Sequence, residues 1–193
     1  MDNKVRVIAF IGKIGVGKTT VAEYLVNTQQ YVRLRFADKL KSMLRTLGLT
    51  AREVEGDLKE CACDVLCGQT PRHAMITLGT EWGRDMIGKD IWVNALNREM
   101  LYKIDSGVTK FVIDDVRFLS EAKWVQDLKY LHDVVIESCL IRLVRESRGV
   151  EINHQSELEQ NEIVEDWIIY NNYDLVTLFK SVDESIDMYF KGE

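Results

Sequence analysis

The run Gly12-Lys13-Ile14-Gly15-Val16-Gly17-Lys18-Thr19 has the residue types and the spacing needed to hold a chain of phosphates. It fits the pattern G-x-x-x-x-G-K-[ST]. Glycines let successive backbone N–H groups turn toward an anion without a side chain in the way. A helix opening at the end of the run points its positive dipole at the same anion. Lys18 is then placed to reach the β- and γ-phosphates, as a catalytic cation. The Thr19 hydroxyl is placed to bind Mg²⁺. The expected phosphate-binding set is Gly12, Lys13, Gly15, Val16, Gly17, Lys18, Thr19 and Thr20. A second pattern, Phe111-Val112-Ile113-Asp114-Asp115, is an apolar run ending on two carboxylates. At the C-terminal edge of a parallel sheet such carboxylates face the ligand crevice, and one of them would help hold the metal.

Both patterns need strands to carry them, and the surrounding sequence supplies these. Val5 to Ile11 is a short β-branched apolar run that reads as a buried strand. A helix should follow from about Lys18 to Asn27, with Val21, Ala22 and Leu25 inward. A second strand fits Tyr31 to Phe36. Leu40, Met43, Leu44 and Leu47 recur at helical spacing before Gly48. Thr50 should cap a helix reaching Glu60. Thr70-Pro71 opens another, running to about Ile87 with Ala74, Leu78 and Trp82 inward. A further helix from Asp90 carries Trp92, Val93, Leu96 and Met100. Lys110 to Asp115 is a strand and Leu119 to Leu131 a helix, while His132 to Cys139 fits either state. Leu140 to Val144 and Asp166 to Tyr170 are strands, and Tyr173 to Phe190 is the last helix. Strands alternating with helices predict an α/β three-layer fold of the P-loop NTPase kind around a central parallel sheet. The whole of 1–193 reads as one such domain. A helical insertion at about 36–105 offers the natural place for a second substrate, and the polar stretch at about 145–160 reads as a short lid.

Composition narrows the partners. Hydrophobic residues make up 46% and charged residues 29%, as in an ordinary globular chain. The net charge is −6, from 31 acidic against 25 basic residues, with no basic block of the kind that tracks nucleic acid. The first apolar run is too short for a signal peptide core or a membrane span, so a cytoplasmic location is expected. Cys61, Cys63 and Cys67 form a cluster, with Cys139 apart from them. The cluster lacks paired C-x-x-C spacing, so thiols without a metal are the preferred reading. His73, His132 and His154 are scattered.

Several segments together carry a family resemblance: Phe36-Ala37-Asp38 with Leu40-Lys41, Gly56-Asp57-Leu58-Lys59-Glu60, Thr70-Pro71-Arg72, and Leu78-Gly79-Thr80-Glu81-Trp82-Gly83-Arg84-Asp85. Asp90 to Leu96, Asp115-Val116-Arg117-Phe118, and His154 with Ser156-Glu157 complete the set. The chain resembles the bacteriophage-type deoxynucleoside monophosphate kinases from the phosphate loop to about Asn171. That resemblance implies ATP and Mg²⁺ as donor and cofactor, and a (deoxy)nucleoside monophosphate as the acceptor that becomes a diphosphate. The partners would then be small molecules, with no nucleic acid or membrane and a homodimer left open. Leu119-Ser120-Glu121 stands where the family often has Pro-Asn-Glu. Asp114 stands where a small polar residue is usual, which assigns the metal to Asp115, with Thr19.

A monophosphate dianion calls for cations that bind two oxygens at once, which favours arginine. Arg72 and Arg84 are the preferred acceptor ligands, joined by Arg117 and by Asp38 for base or sugar, although Asp38 could instead cap the helix that opens there. Trp82 and Trp92 offer flat faces to a base, with a core role as the competing reading. Trp124 and Trp167 read as core. Arg142 leads into the lid, where Arg145 and Arg148 would neutralise the transferring phosphoryl group. Asn171, with Asn172, falls where adenine could be read. The competing functions are a P-loop kinase of another small acceptor and a nucleotide switch that transfers nothing. No N-K-x-D base-reading run accompanies the loop.

Overall fold

A computed structural model describes residues 4–146 and 160–191. In chain order the elements begin with β1 (Val5–Ile11), α1 (Lys18–Gln29), β2 (Val32–Leu34), α2 (Asp38–Thr46) and α3 (Ala51–Val54). A 3-10 turn (Asp64–Leu66), α4 (Pro71–Thr77), a π-helical stretch (Leu78–Ile87) and α5 (Ile91–Asp105) follow. The chain continues with β3 (Lys110–Ile113), α6 (Leu119–Asp127), β4 (Tyr130–Leu131), β5 (Val134–Val144), β6 (Trp167–Tyr170) and α7 (Leu175–Lys191). These form two compact units, one of Met1–Arg35 with Glu99–Glu193 and one of Phe36–Arg98.

The first unit is built on a sheet ordered β2-β3-β1-β5, with β6 on the far side of β5. All of these strands run parallel, and only β4 pairs antiparallel, folding back on β5. Ile8, Phe10, Val112, Cys139, Ile141, Leu143 and Ile169 share one core with Val21, Ala22 and Leu25 of α1 and Leu178, Val182 and Ile186 of α7. Their alternates Val7, Ala9, Ile11, Phe111 and Ile113 are fully buried as well, and α6 packs against β5. Side chains alternate across a strand, so burial of both sets means that the sheet is covered on both faces. β1 connects toward β2 and β3 toward β5, in opposite directions. The crevice between their C-terminal ends is therefore the switch point where ligands bind in such sheets.

The stretch that fitted either state is strand. Val134-Val135-Ile136 is β-branched and extends β5 backward to pair with Val5, and His132 at φ 54° turns the chain between β4 and β5. The preceding helix therefore ends at Asp127, short of the expected Leu131. The second strand is likewise only Val32–Leu34.

In the second unit, Thr50 caps α3 in a reciprocal box with Glu53, and Thr70 caps α4 with Pro71 at its first position. The helix after Thr50 stops at Val54 and not at Glu60. The Arg52 carbonyl accepts from both Gly56 and Leu58, and the Arg52 side chain closes on Asp57, so the chain folds back on the helix. Leu44, Leu49 and Val54 form a small core with Leu66, Ala74, Met75 and Leu78 packed against it. Of the four residues at helical spacing, Leu40 and Leu44 are buried, while Met43 and Leu47 are 40% and 62% exposed. The helix expected to run unchanged to Ile87 widens to π-helical geometry from Leu78. Trp92 lies across that segment. Its indole N–H donates to the Gly79 carbonyl at 2.8 Å, and a Cβ on Gly83 would stand 2.8 Å from the ring.

Candidate phosphate and metal site

β1, the central strand, delivers the glycine-rich loop to the switch point. Gly12, Gly15 and Gly17 have φ of 145°, 83° and 104°, values that a side chain would strain. Gly17 is the N-cap of α1 and no side chain caps the helix, so its first turn presents backbone N–H groups without a competing side-chain acceptor. The Lys18 ammonium donates to the carbonyls of Gly12 and Lys13, lying across the loop. Lys13 is exposed, Thr20 half-buried, and Val16 is drawn into the core beneath.

The Thr19 hydroxyl donates to Asp114 Oδ2 at 3.0 Å. Successive side chains leave an extended segment on opposite sides, so only one of Asp114 and Asp115 can meet Thr19. The structure gives that place to Asp114, 4% exposed, and leaves Asp115 half-buried one position further on. Asp114, and not the Asp115 that the sequence favoured for the metal, is thus the carboxylate that Thr19 meets. Arg33 on β2 closes over the same carboxylate, its Nε on Oδ1 at 2.8 Å and its Nη2 on Oδ2 at 2.5 Å. This is a two-pronged, charge-assisted pair. Glu23, largely exposed, lies 3.9 Å from Arg33 Nη1.

Asn171, expected near adenine, is buried and bonded to the phosphate loop. It is 6% exposed, its backbone N–H donates to Val144 and its amide Nδ2 donates to the Val16 carbonyl at 2.9 Å. Its amide nitrogen thus braces the phosphate loop. Asn172 accepts from the Glu146 N–H. Arg142 is likewise committed, to Glu165 at 2.6 Å and to the carbonyls of Gln160 and Ile163. Arg145 is exposed. Arg148, His154, Ser156 and Glu157 lie outside the described residues.

Arg117 is exposed, and its backbone N–H donates to Glu121, which is 2% exposed and also accepts from Phe118. Glu121 thus holds the loop that follows the aspartates.

In the second unit Arg72 is paired with Glu60 at 2.9 Å, and Arg84 is half-buried with Nη1 near the Lys89 carbonyl. Ala37, not Asp38, is the N-cap of α2; Asp38 is a first-turn carboxylate that favours the helix dipole. Trp82 is half-buried, whereas Trp92 is 3% exposed and engaged by Gly79 and Gly83. Trp92 is therefore a core residue, and no face of it is available to stack on a base. Trp124 and Trp167 are half-buried. Cys63 and Cys139 are buried, Cys61 and Cys67 exposed. Among the described residues no group of three or more His, Cys, Asp or Glu side chains is placed to hold a metal ion.

Sequence reasoning missed Arg33 and Glu121. Arg33 left a signal: it is a charge between Val32 and Leu34 in a strand of a sheet whose strands are mostly apolar. Glu121 left one as well, three residues into a helix whose N-cap Phe118 has no acceptor to offer.

A glycine-rich turn from the central strand into a helix, with a Thr on that helix facing an Asp at the end of the neighbouring strand, defines an α/β P-loop protein. The solved structures of TT1252 from Thermus thermophilus and of dephospho-CoA kinase from Campylobacter jejuni share the fold. The first is 16% identical, covering 95% of this chain and 97% of its own, with a TM-score of 0.52. The second is 15% identical, covering 100% of this chain and 99% of its own, with a TM-score of 0.51. The architecture is the α/β P-loop fold. A protein of Acanthamoeba polyphaga mimivirus, provisionally described as a deoxynucleotide monophosphate kinase, is 28% identical over 194 residues, covering 93% of this chain and 95% of that protein. No family model matches the chain. No helix among the described residues is long and apolar enough to cross a membrane.

Proposed function

We propose that this protein is a kinase that transfers the γ-phosphate of ATP to a deoxynucleoside monophosphate, in the manner of the bacteriophage-type enzymes it resembles. The observation that carries the phosphoryl-transfer reading is the glycine loop with Lys18 across it and Thr19 facing Asp114. The choice of acceptor is supported by the mimivirus relative, which aligns along almost the whole of both chains.

The residues present fit a magnesium–nucleotide. Positive φ at three glycines opens a cradle of N–H groups, and a hydroxyl and a carboxylate meet beside it. Thr19 and Asp114 would hold Mg²⁺, which, when bound, offsets charge on the β- and γ-phosphates. Lys18 would exchange its loop carbonyls for phosphate oxygens, and the first turn of α1 would face the same anion. Such catalysis works by positioning and electrostatics without a covalent intermediate. In this reading Asp38, Arg72, Trp82 and Arg84 of the 36–98 unit, with Arg117, serve the acceptor. The 145–160 stretch is the lid, with Arg145 and Arg148 on the transferring group.

The test is steady-state transfer from ATP to a panel of ribo- and deoxynucleoside monophosphates, scored for diphosphate product, with dephospho-CoA and sugar acceptors alongside. Diphosphate from at least one deoxynucleoside monophosphate is expected, and Lys18→Ala should lower turnover by about 10²-fold or more while the fold is kept. Product only from another acceptor would move the enzyme to a different P-loop kinase. Hydrolysis with no transfer at all would make it a nucleotide switch.

A further inference from the structure

We propose that Arg33 makes metal binding conditional on nucleotide: by occupying the Asp114 carboxylate it keeps the protein alone from taking a divalent cation. Arg33 is a positioning residue, and its role rests on the phosphate-and-metal reading of the Thr19–Asp114 pair given above. A carboxylate has roughly four lone-pair positions. Nε and Nη2 of Arg33 take one on each oxygen of Asp114, and the Thr19 hydroxyl takes another on Oδ2. The buried Asp114 is left with little more than one direction on Oδ1, enough to accept from a metal-bound water and too little for a chelate. Charge points the same way. The guanidinium cancels the carboxylate in a setting only 24% and 3% exposed at the two side chains, and Glu23, the other acid beside Arg33, is 61% exposed. From a hydroxyl and a neutralised carboxylate a divalent ion gains too little to give up its water. Magnesium dehydrates reluctantly and is usually held by one or two carboxylates together with substrate phosphates. Phosphates in the loop would supply the missing charge, so cation and nucleotide would enter together. With Arg33 gone, Asp114 would become a free carboxylate beside the Thr19 hydroxyl, and the empty protein would acquire a cation site.

The experiment titrates Mn²⁺ into nucleotide-free protein and reads free ion by electron paramagnetic resonance, for wild type, Arg33→Gln, Arg33→Lys, and Arg33→Gln combined with Asp114→Asn. Arg33→Gln should bind Mn²⁺ about tenfold or more tighter than wild type, the scale of coupling between neighbouring sites. The double variant should lose that gain, and wild type should take Mn²⁺ tightly only once ADP is added. Arg33→Lys keeps a cation beside the buried Asp114 and gives up the two-pronged geometry, so it should fall between wild type and Arg33→Gln. It decides the matter if Arg33→Gln does not fold. Arg33→Lys matching wild type, a gain that survives Asp114→Asn, or wild type binding Mn²⁺ as tightly without ADP as with it would each overturn the inference. No acceptor enters the titration, so a failure to phosphorylate any monophosphate would sink the kinase reading and leave this result standing.

Discussion

At the scale of single residues, the site depends on side chains that never need to touch a substrate. Asn171 is the clearest. Its amide holds the Val16 carbonyl, and Gly17 next to it is packed so closely that a Cβ there would lie 2.7 Å from Nδ2. The peptide between Val16 and Gly17 is thereby fixed in the orientation that aims the following N–H groups into the loop. Asn171→Ala should raise the KM for ATP by about fivefold, as expected from one buried hydrogen bond worth about 1 kcal/mol, while the acceptor KM stays near wild type. Parallel titrations of ATP and acceptor check this. A base-reading role would instead show up as lost discrimination between ATP and GTP with an unweakened loop.

At the scale of elements, the π-helical stretch Leu78–Ile87 is the least ordinary piece of the fold. Such geometry is rare, usually limited to a single turn, and frequent at functional sites. Here its cause is visible in packing: Trp92 from α5 presses on Gly83 and takes the Gly79 carbonyl as a hydrogen-bond partner. Gly83→Ala would put a methyl group into the indole, in a well-packed region, and should cost about 1–3 kcal/mol of stability. Urea denaturation followed by tryptophan fluorescence measures it. A variant as stable as wild type would mean that the indole can move away and does not dictate the helix. Trp92→Phe keeps an aromatic ring and removes the N–H together with part of the indole, so its cost set against that of Gly83→Ala shows how far the Gly79 hydrogen bond matters beside the close packing.

At the scale of the whole molecule, the charge balance of −6 opposes a polyanionic ligand, and attraction must come from local features: the loop N–H groups, the α1 terminus and Lys18. Binding there should stabilise the folded chain by mass action. At ATP·Mg²⁺ a hundredfold above Kd, the gain is about 2.7 kcal/mol, and for a chain of this length a gain of that size raises Tm by about 5–10 °C. Scanning fluorimetry with ATP·Mg²⁺ should show that shift in wild type and a clearly smaller one in Lys18→Ala. Equal shifts in both would place the nucleotide away from the loop.

What could be read from the sequence alone was whatever local backbone chemistry determines. The strand Val5–Ile11, the glycine turn and the helix from Lys18 follow one another within a few residues, and φ requirements, apolar period and capping all act at that range. The same holds for Thr50 and Thr70 as caps. Tertiary structure decided everything that depends on residues distant along the chain. Thr19 finds Asp114 across 95 positions and Arg33 finds it across 81, and no local rule distinguishes Asp114 from Asp115. Asn171 reaches Val16 across 155 positions, a brace on the phosphate loop that no local pattern announces. Trp92 became core and not a stacking face because two glycines thirteen and nine residues earlier leave room for its ring, and a helical period shows that a side chain points inward without saying what it meets there.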